Sequence, residues 1–463
     1  MATLQAANWW QKVILGTSLL ANISDFARLD KVPTMSSTSL SSFIAQYTPP
    51  PSVDYGAPLI PNIKDPLAID AQTVCPGYLL SDLYLYDYGL TARLKLAGEV
   101  CHIYGNDIEE LDLLVEYQAQ HRLHVNIRPT YTSTANETWF NLPKYLVPAP
   151  TSEDITIAQS DLVFSWTNEP TFSFSITRNA SAEVLFSTNL TKLVYEDQFI
   201  EFVTAIDEGY NLYGLGEVFR GLRLQPGLTR TIYAADAGDP IDRNIYGSHP
   251  FYLNTRYFEQ DGKHTSSSHG VYLRNAHGQE VLMHDHNVTW RTLGGELDFY
   301  IFAGPSQPAV TQQYLQHIGL PAMQQYWTFG YHQCRWGYTN WSVTEEVVDT
   351  FAKFGLPLET IWNDIDYMKS YRDFENDPVR FPYGDGARFM DKLHANGQHY
   401  VPIVDAAIYH PNPNNASDTY PIFNDGLERD VFLKNPDGSL YIGQVWPGYT
   451  VFPVSGLLSS DFG

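Results

Sequence analysis

Ser342-Val-Thr-Glu-Glu-Val-Val-Asp-Thr-Phe-Ala-Lys-Phe-Gly-Leu-Pro-Leu-Glu-Thr-Ile-Trp-Asn-Asp-Ile-Asp-Tyr-Met368 changes its hydrophobic grammar halfway along. In the first half Val343, Val347, Val348, Phe351 and Phe354 recur at helical spacing and make one apolar face. Ser342 is expected to cap this helix, with Glu345 three residues later closing a capping box, and Gly355 to end it. The run from Thr360 to Met368 reads as a strand. The pattern continues on both sides. Tyr326 to Gln333 reads as a short aromatic strand. Arg388 to Ala395 reads as a helix, with Phe389, Met390 and Leu393 apolar and Gly397 as its stop. His399 to Ile408 reads as a third strand. Strand, helix, strand, helix, strand is the opening of a parallel α/β domain. A (β/α)8 barrel takes eight such units and about 250 residues. Only about 140 residues follow position 322, so a TIM barrel is begun and left incomplete within this sequence.

Upstream the grammar is β. Leu80 to Val100 alternates, with Leu83 and Leu85 expected on one face of a first strand and Leu94 and Leu96 on one face of a second. Leu111 to Ile127, Leu162 to Ile176 and Phe199 to Ala205 behave alike, with turn residues between them. Many short alternating strands with regular breaks predict a β-sandwich. The expected organisation is a leader and Ser/Thr/Pro-rich segment over 1–54, a β-sandwich over 55–320, the start of a barrel over 321–453, and an unrelated tail over 454–463.

The composition narrows the function classes. The formal net charge is −24, which repels nucleic acid and anionic lipid, and there is no basic cluster. Neither nucleic acid nor membrane is an expected partner. No apolar run reaches the roughly 18 residues that a membrane span needs. Aromatic residues make up 14% of the chain, which suits either a β-rich core or stacking against sugar rings. Asn-x-Ser/Thr sites occur at Asn22, Asn136, Asn179, Asn189, Asn287, Asn340 and Asn415, and together they favour a glycosylated, secreted protein. Val13 to Ala21 makes a poor signal peptide. Of the three cysteines, Cys75 and Cys101 flank one β-rich segment and can pair, leaving Cys334 over. Their spacing fits no metal site.

In a barrel, chemistry sits at the C-terminal ends of the strands. His332-Gln-Cys-Arg-Trp-Gly-Tyr338, Ile361-Trp-Asn-Asp-Ile-Asp-Tyr-Met368 and Ile403-Val-Asp405 all end that way in polar or aromatic residues, and Val445-Trp-Pro-Gly-Tyr-Thr-Val-Phe-Pro453 follows. Phe329 to Tyr338, Trp362 to Met368 and Val445 to Pro453, with Tyr213-Gly-Leu-Gly-Glu217 and Tyr246-Gly-Ser-His-Pro250 upstream, resemble in order and spacing the signatures of glycoside hydrolase family 31. The secreted fungal α-glucosidases are the nearest likeness, which runs from about residue 45 to Pro453.

The resemblance implies a galactose-mutarotase-like sandwich ahead of the barrel. It also implies a retaining hydrolase that removes terminal glucose from α-linked gluco-oligosaccharides without a metal or redox cofactor. Asp364 is implied to accept hydrogen bonds from hydroxyls of the terminal glucose, and Ile365 to line the same pocket. Trp336 and Trp446 match pocket-wall aromatics, Ile403 and Asp405 a pocket-lining pair, and Asp236 a sandwich-loop residue reaching the pocket. Each residue has a plainer reading: core packing for Trp336 and Trp446, a structural role for Asp364, a solvated loop acid for Asp236. Asp366 reads as a buried hydrogen-bonding partner. The family's nucleophile, in a Trp-x-Asp-Met-x-Glu type motif, and its acid lie on later strands, and no such motif occurs here. After Pro453 the family pattern continues as Asp-Trp, whereas this sequence continues Val454-Ser-Gly, and an intron read-through is the expectation. An inactive piece is therefore expected, with a non-catalytic sugar-binding fragment or an inert remnant as the alternatives.

Overall fold

The computed structural model describes residues 69–130, 151–153, 155–189, 191–207, 210–234, 241, 243–260, 262–435 and 437–453. The leader over 1–54, Asn22, Asn136, Asp236 and the tail over 454–463 lie outside the described residues. The chain divides into two compact units, between Ala322 and Met323.

The first unit opens with a short helix α1 (Ala71–Val74) and then β1 (Tyr78–Tyr86), β2 (Gly89–Leu96), β3 (Glu110–Ala119) and β4 (Arg122–Pro129). β5 (Leu162–Thr167), β6 (Ser173–Arg178), β7 (Val184–Ser187), β8 (Val194–Glu196) and β9 (Phe199–Ala205) follow. Next come β10 (Leu212–Gly214), β11 (Arg223–Leu224), β12 (Thr229–Ile232) and β13 (Phe251–Gln260). β14 (Lys263–Leu273), β15 (Gln279–Met283), β16 (Asn287–Thr292), β17 (Leu297–Phe302) and α2 (Gln307–Ile318) complete the unit. The strands build a nine-stranded sheet, β1-β2-β3-β4-β17-β14-β13-β10-β11, a five-stranded sheet, β12-β15-β16-β9-β8, and a three-stranded sheet, β5-β6-β7.

Period-2 alternation makes the core. Leu111, Leu113 and Val115 of β3, Leu123, Val125 and Ile127 of β4, and Leu297, Phe299 and Ile301 of β17 all turn to one side and are buried. Across the gap Phe202 of β9 stacks on Trp290 of β16 at 5.7 Å, and Phe299 meets Phe202 edge-on at 4.8 Å. These rings join the nine-stranded and five-stranded sheets face to face. The unit is a galactose-mutarotase-like sandwich. Leu83 and Leu85 do not join its core. The register of β1 on β2 shifts between Ser81 and Tyr84, Asp82 takes φ of 49°, and Leu85 is left 71% exposed while Tyr78 and Leu80 are buried. A disulfide links Cys75 to Cys101, and Cys334 is free and exposed.

The second unit is the start of the barrel. β18 (His332–Gln333), β19 (Thr360–Asn363) and β20 (His399–Pro402) form a parallel sheet, with α3 (Trp341–Lys353) and α4 (Tyr383–Ala395) as the crossovers. Trp341 packs its ring against Phe381, Phe389 and Tyr400. At Gly386 a Cβ would stand 2.8 Å from the Trp341 ring, so the close approach of α4 requires glycine. Val348, Ile361 and Leu393 are buried in the same cluster. After β20 an excursion carries β21 (Ile408–Tyr409), α5 (Pro421–Glu428), β22 (Gly443–Val445) and β23 (Gly448–Val451), the strands pairing antiparallel in the order β21-β23-β22.

Several boundaries differ from those read in the sequence. Tyr326–Phe329 is a 3-10 turn, and only His332–Gln333 is strand. β19 stops at Asn363, because the N–H of Ile365 is taken by the Asp364 carboxylate and no longer by a neighbouring strand. The third strand breaks at Pro402, and Ile408 pairs instead with Val451. α4 begins five residues before Arg388, at Tyr383. Asn340, not Ser342, caps α3: its side chain accepts from the N–H of Val343 at 3.0 Å. Glu345 forms no capping box and reaches α4 instead, bonding Lys392 at 2.9 Å. Val343 and Val347 are partly buried, and Phe354 is exposed.

Asn340→Ala is expected to destabilise α3 by about 1 kcal/mol and Ser342→Ala by only a few tenths. Hydrogen exchange of the α3 amides checks this: equal protection loss in both variants contradicts the cap assignment.

Candidate active site

The parallel register decides what gathers at the strand ends. Thr360 pairs with both His332 and His399, and Asn363 pairs with Pro402. The chain therefore leaves β18 into Cys334-Arg335-Trp336, β19 into Asp364-Ile365-Asp366, and β20 into Ile403-Val404-Asp405, all at the C-terminal edge of one sheet.

Asp364 caps a single 3-10 turn, Ile365–Tyr367, with Oδ1 accepting from the N–H of Ile365 at 2.7 Å. That bond fixes the carboxylate while the group stays partly exposed. Ile365 is buried beneath it. Asp366 is buried, and its Oδ2 accepts from the N–H of Gly337 at 2.8 Å. This bond ties the loop carrying Trp336 to the loop carrying Asp364. Trp336 itself is about half exposed.

The third strand end is tied in similarly. The Tyr367 hydroxyl donates to the carbonyl of Ile403 at 2.8 Å. The Asp405 N–H donates to Oδ1 of Asp373 at 3.0 Å, and the Tyr420 hydroxyl donates to the Asp373 carbonyl at 2.6 Å. Asp405 Oδ2 is buried without a hydrogen-bond partner among the described residues. Trp446 lies in the turn between β22 and β23 and is about half exposed. The excursion is anchored through Arg372, which bonds Asp418 at 2.8 Å and lies 3.8 Å over the Tyr409 ring.

The edge is strongly electronegative. Burial, and then the charge of Asp364, push up the carboxyls of Asp366 and Asp405 and the thiol of Cys334. Burial chiefly, with the charge of Asp405, pushes Asp373 up to about 6. Such a site offers acceptors to hydroxyl donors and repels anions. Asp373 and Tyr367 were not singled out in the sequence, where an acid in Tyr371-Arg-Asp-Phe374 looks like any loop acid. Among the described residues the one cluster with metal-ligand geometry is Cys75, Cys101 and Glu196, and its cysteines are spent on the disulfide. Of the glycosylation sites, Asn179, Asn189 and Asn415 are exposed, Asn287 starts β16, and Asn340 caps α3.

Residues 321–454 match the glycosyl hydrolases family 31 TIM-barrel domain, and residues 116–281 match the glycosyl hydrolase 31 N-terminal galactose mutarotase-like domain. The chain belongs to glycoside hydrolase family 31. An α-glucosidase of Aspergillus oryzae is 52% identical over 461 residues, covering 96% of this chain and 46% of the relative. An α-glucosidase of Aspergillus niger is 54% identical over 427 residues (88% and 43%), and glucoamylase 1 of Candida albicans 50% over 430 (92% and 44%). The chain spans about half the length of the curated relatives it matches. Among solved structures, a Tris-bound glucosidase II α subunit superposes with a TM-score of 0.67 at 20% identity, covering 82% of this chain and 48% of that one, which speaks for the fold alone.

The raised pKa of Asp373 sets a pH dependence. Its folded form holds the proton more tightly than the unfolded chain does. The stability this group contributes is therefore complete below the ordinary carboxylate range near 4 and is lost as pH rises through about 6. Asp373→Asn keeps an oxygen for the Asp405 N–H and cannot ionise. Relative to the parent it should gain about 2 kcal/mol between pH 4 and pH 7. Denaturation measured at both pH values checks this: a difference that does not change with pH contradicts a buried, proton-retaining Asp373.

Proposed function

We propose that the protein to which this chain belongs is an exo-acting, retaining α-glucosidase that releases glucose from the non-reducing ends of maltose-like oligosaccharides. The observation that carries the reading is the anchored Asp364 at the end of β19, in a chain more than half identical to α-glucosidases. A carboxylate held by one backbone N–H keeps its second oxygen for sugar hydroxyls. Charge-assisted bonds of that kind strengthen as positive charge grows on the sugar ring in the transition state. Trp336, half exposed after the first strand, would supply apolar surface for the ring, with Ile403 and Asp405 along the third strand end, and the buried Ile365 would line the floor only through its support of the Asp364 turn. Trp446 would close the pocket from the excursion.

Retaining hydrolysis needs two carboxyl groups about 5–5.5 Å apart, one as nucleophile and one as acid. The carboxylates of Asp364 and Asp366 are each committed to a backbone N–H. By the resemblance to family 31 the nucleophile and acid would lie on later barrel strands, and this chain would carry the sugar-binding half of the site. The exposed Asn179, Asn189 and Asn415 suit a glycosylated, secreted enzyme.

NMR of the first sugar formed from maltose by the full-length protein tests the reading. The α-anomer is expected, and initial β-glucose would overturn it. Asp364→Ala in that protein should lower kcat/KM by roughly a hundredfold, the loss of about two charge-assisted hydrogen bonds, while the protein stays folded. Turnover close to wild type would remove Asp364 from the pocket. A polypeptide of residues 1–463 alone is expected to hydrolyse no aryl α-glucoside, and measurable hydrolysis would show that its own carboxylates suffice.

A further inference from the structure

The sandwich carries a cavity that the hydrolytic reading does not use. On the outer face of the five-stranded sheet, Thr231, Glu280, Arg291 and Glu201 stand in one row across β12, β15, β16 and β9. The strand ends beyond that row bring Tyr233, Gly278 and Leu293 together, with the N–H of Leu293 donating to the Gly278 carbonyl at 3.0 Å. A cavity of about 210 Å³ opens there, with Phe199 in its lining. At roughly 30 Å³ per water it has the room of about seven waters, which suits one small ring and not a chain of rings.

The notch depends on glycine. A Cβ at position 278 would lie 3.0 Å from the Tyr233 ring and 3.2 Å from Leu293. Without one, the Tyr233 ring, 65% exposed, and Leu293, 45% exposed, remain as two apolar walls. The polar groups are one donor and one acceptor side by side. Arg291 spends Nε on Glu201 at 2.7 Å and lies 5.9 Å over the Phe199 ring. Its two terminal nitrogens have no partner among the described residues. Glu280, directly opposite Arg291 on the next strand, forms no ion pair or hydrogen bond among the described residues.

We propose that this cavity is a monosaccharide-binding site built wholly from the sandwich, and that it takes a neutral pyranose. Vicinal hydroxyls match the pair: one accepts from Arg291 and its neighbour donates to Glu280, while the apolar face of the ring lies along Tyr233. A phosphate or sulfate meets Glu280 and Glu201 on either side of Arg291 and is disfavoured. A compact zwitterion, with its carboxylate on Arg291 and its ammonium on Glu280, meets the same two charges but gains nothing from the aromatic wall.

The site is independent of the hydrolytic pocket, and the experiment keeps the two apart. In this chain carrying Asp364→Asn, binding of methyl α-D-glucoside is measured by saturation-transfer NMR, with sodium sulfate and glycine as competing ligands. Saturable sugar binding is expected to remain. Arg291→Met and Tyr233→Ala should each weaken it roughly tenfold, about 1.4 kcal/mol, and Gly278→Val should abolish it. Because Arg291→Met leaves Glu201 unpaired, the exposed Tyr233→Ala is the variant that decides if Arg291→Met does not fold. No sugar binding in the Asp364→Asn chain, binding unchanged by Tyr233→Ala, or displacement of the sugar by sulfate or glycine each overturns the proposal. None of these results bears on hydrolysis by the full-length protein.

Discussion

The parallel register of three short strands is the constraint on which the candidate site depends. β18, β19 and β20 are two to four residues long, yet pairing Thr360 with both His332 and His399 ends them at one edge. Because side chains alternate along a strand, a slip of one residue would turn Asp364 into the helix layer and bring its neighbours Asn363 and Ile365 to the edge. The helix side resists that slip. Asn363 is buried and donates from Nδ2 to the Thr344 hydroxyl of α3 at 3.0 Å, so the residue before Asp364 is held by a polar contact that a shifted register would break.

Once the edge is set, hydrogen bonds between loops keep it ordered. Asp366 holds the β18 loop, Tyr367 holds the β20 loop, and Asp373 holds the backbone of Asp405. Each bond satisfies a group that would otherwise be buried unpaired, at a cost of about 1–3 kcal/mol. The assembly concentrates carboxylates in a partly dry space, which raises the proton affinity of Asp366, Asp373 and Asp405. Electrostatic strain of this kind is a common property of binding and catalytic sites.

The sandwich answers the question raised by the aromatic content. Most of its large rings serve packing: Phe186, Phe202, Trp290 and Phe299 form a contiguous stack between sheets. Away from that stack, the exposed Tyr233 and the buried Phe199 border a cavity with Arg291 and Glu280. Composition is blind to this distinction, because a tyrosine one residue further along a strand points to the opposite face.

The sequence by itself determined most of the element types, the change from β-sandwich to barrel near residue 322, and the strand-end placement of Asp364, Ile403 and Asp405. Those features follow from local periodicity and motif spacing, which a linear string carries in full. Tertiary structure alone decided where β19 stops, since that turns on the Asp364 side chain capturing the N–H of Ile365. It alone decided that Asn340 caps α3 while Glu345 bonds Lys392 across helices, and that Asp373 supports Asp405 from 32 residues away. The bulge that exposes Leu83 and Leu85 belongs to the same class. For Glu345 and Asp373 the deciding partner is another element's charge or backbone, which no local pattern records, whereas for Asp364 and Asn340 it is a nearby backbone N–H that more than one residue of the local sequence could take.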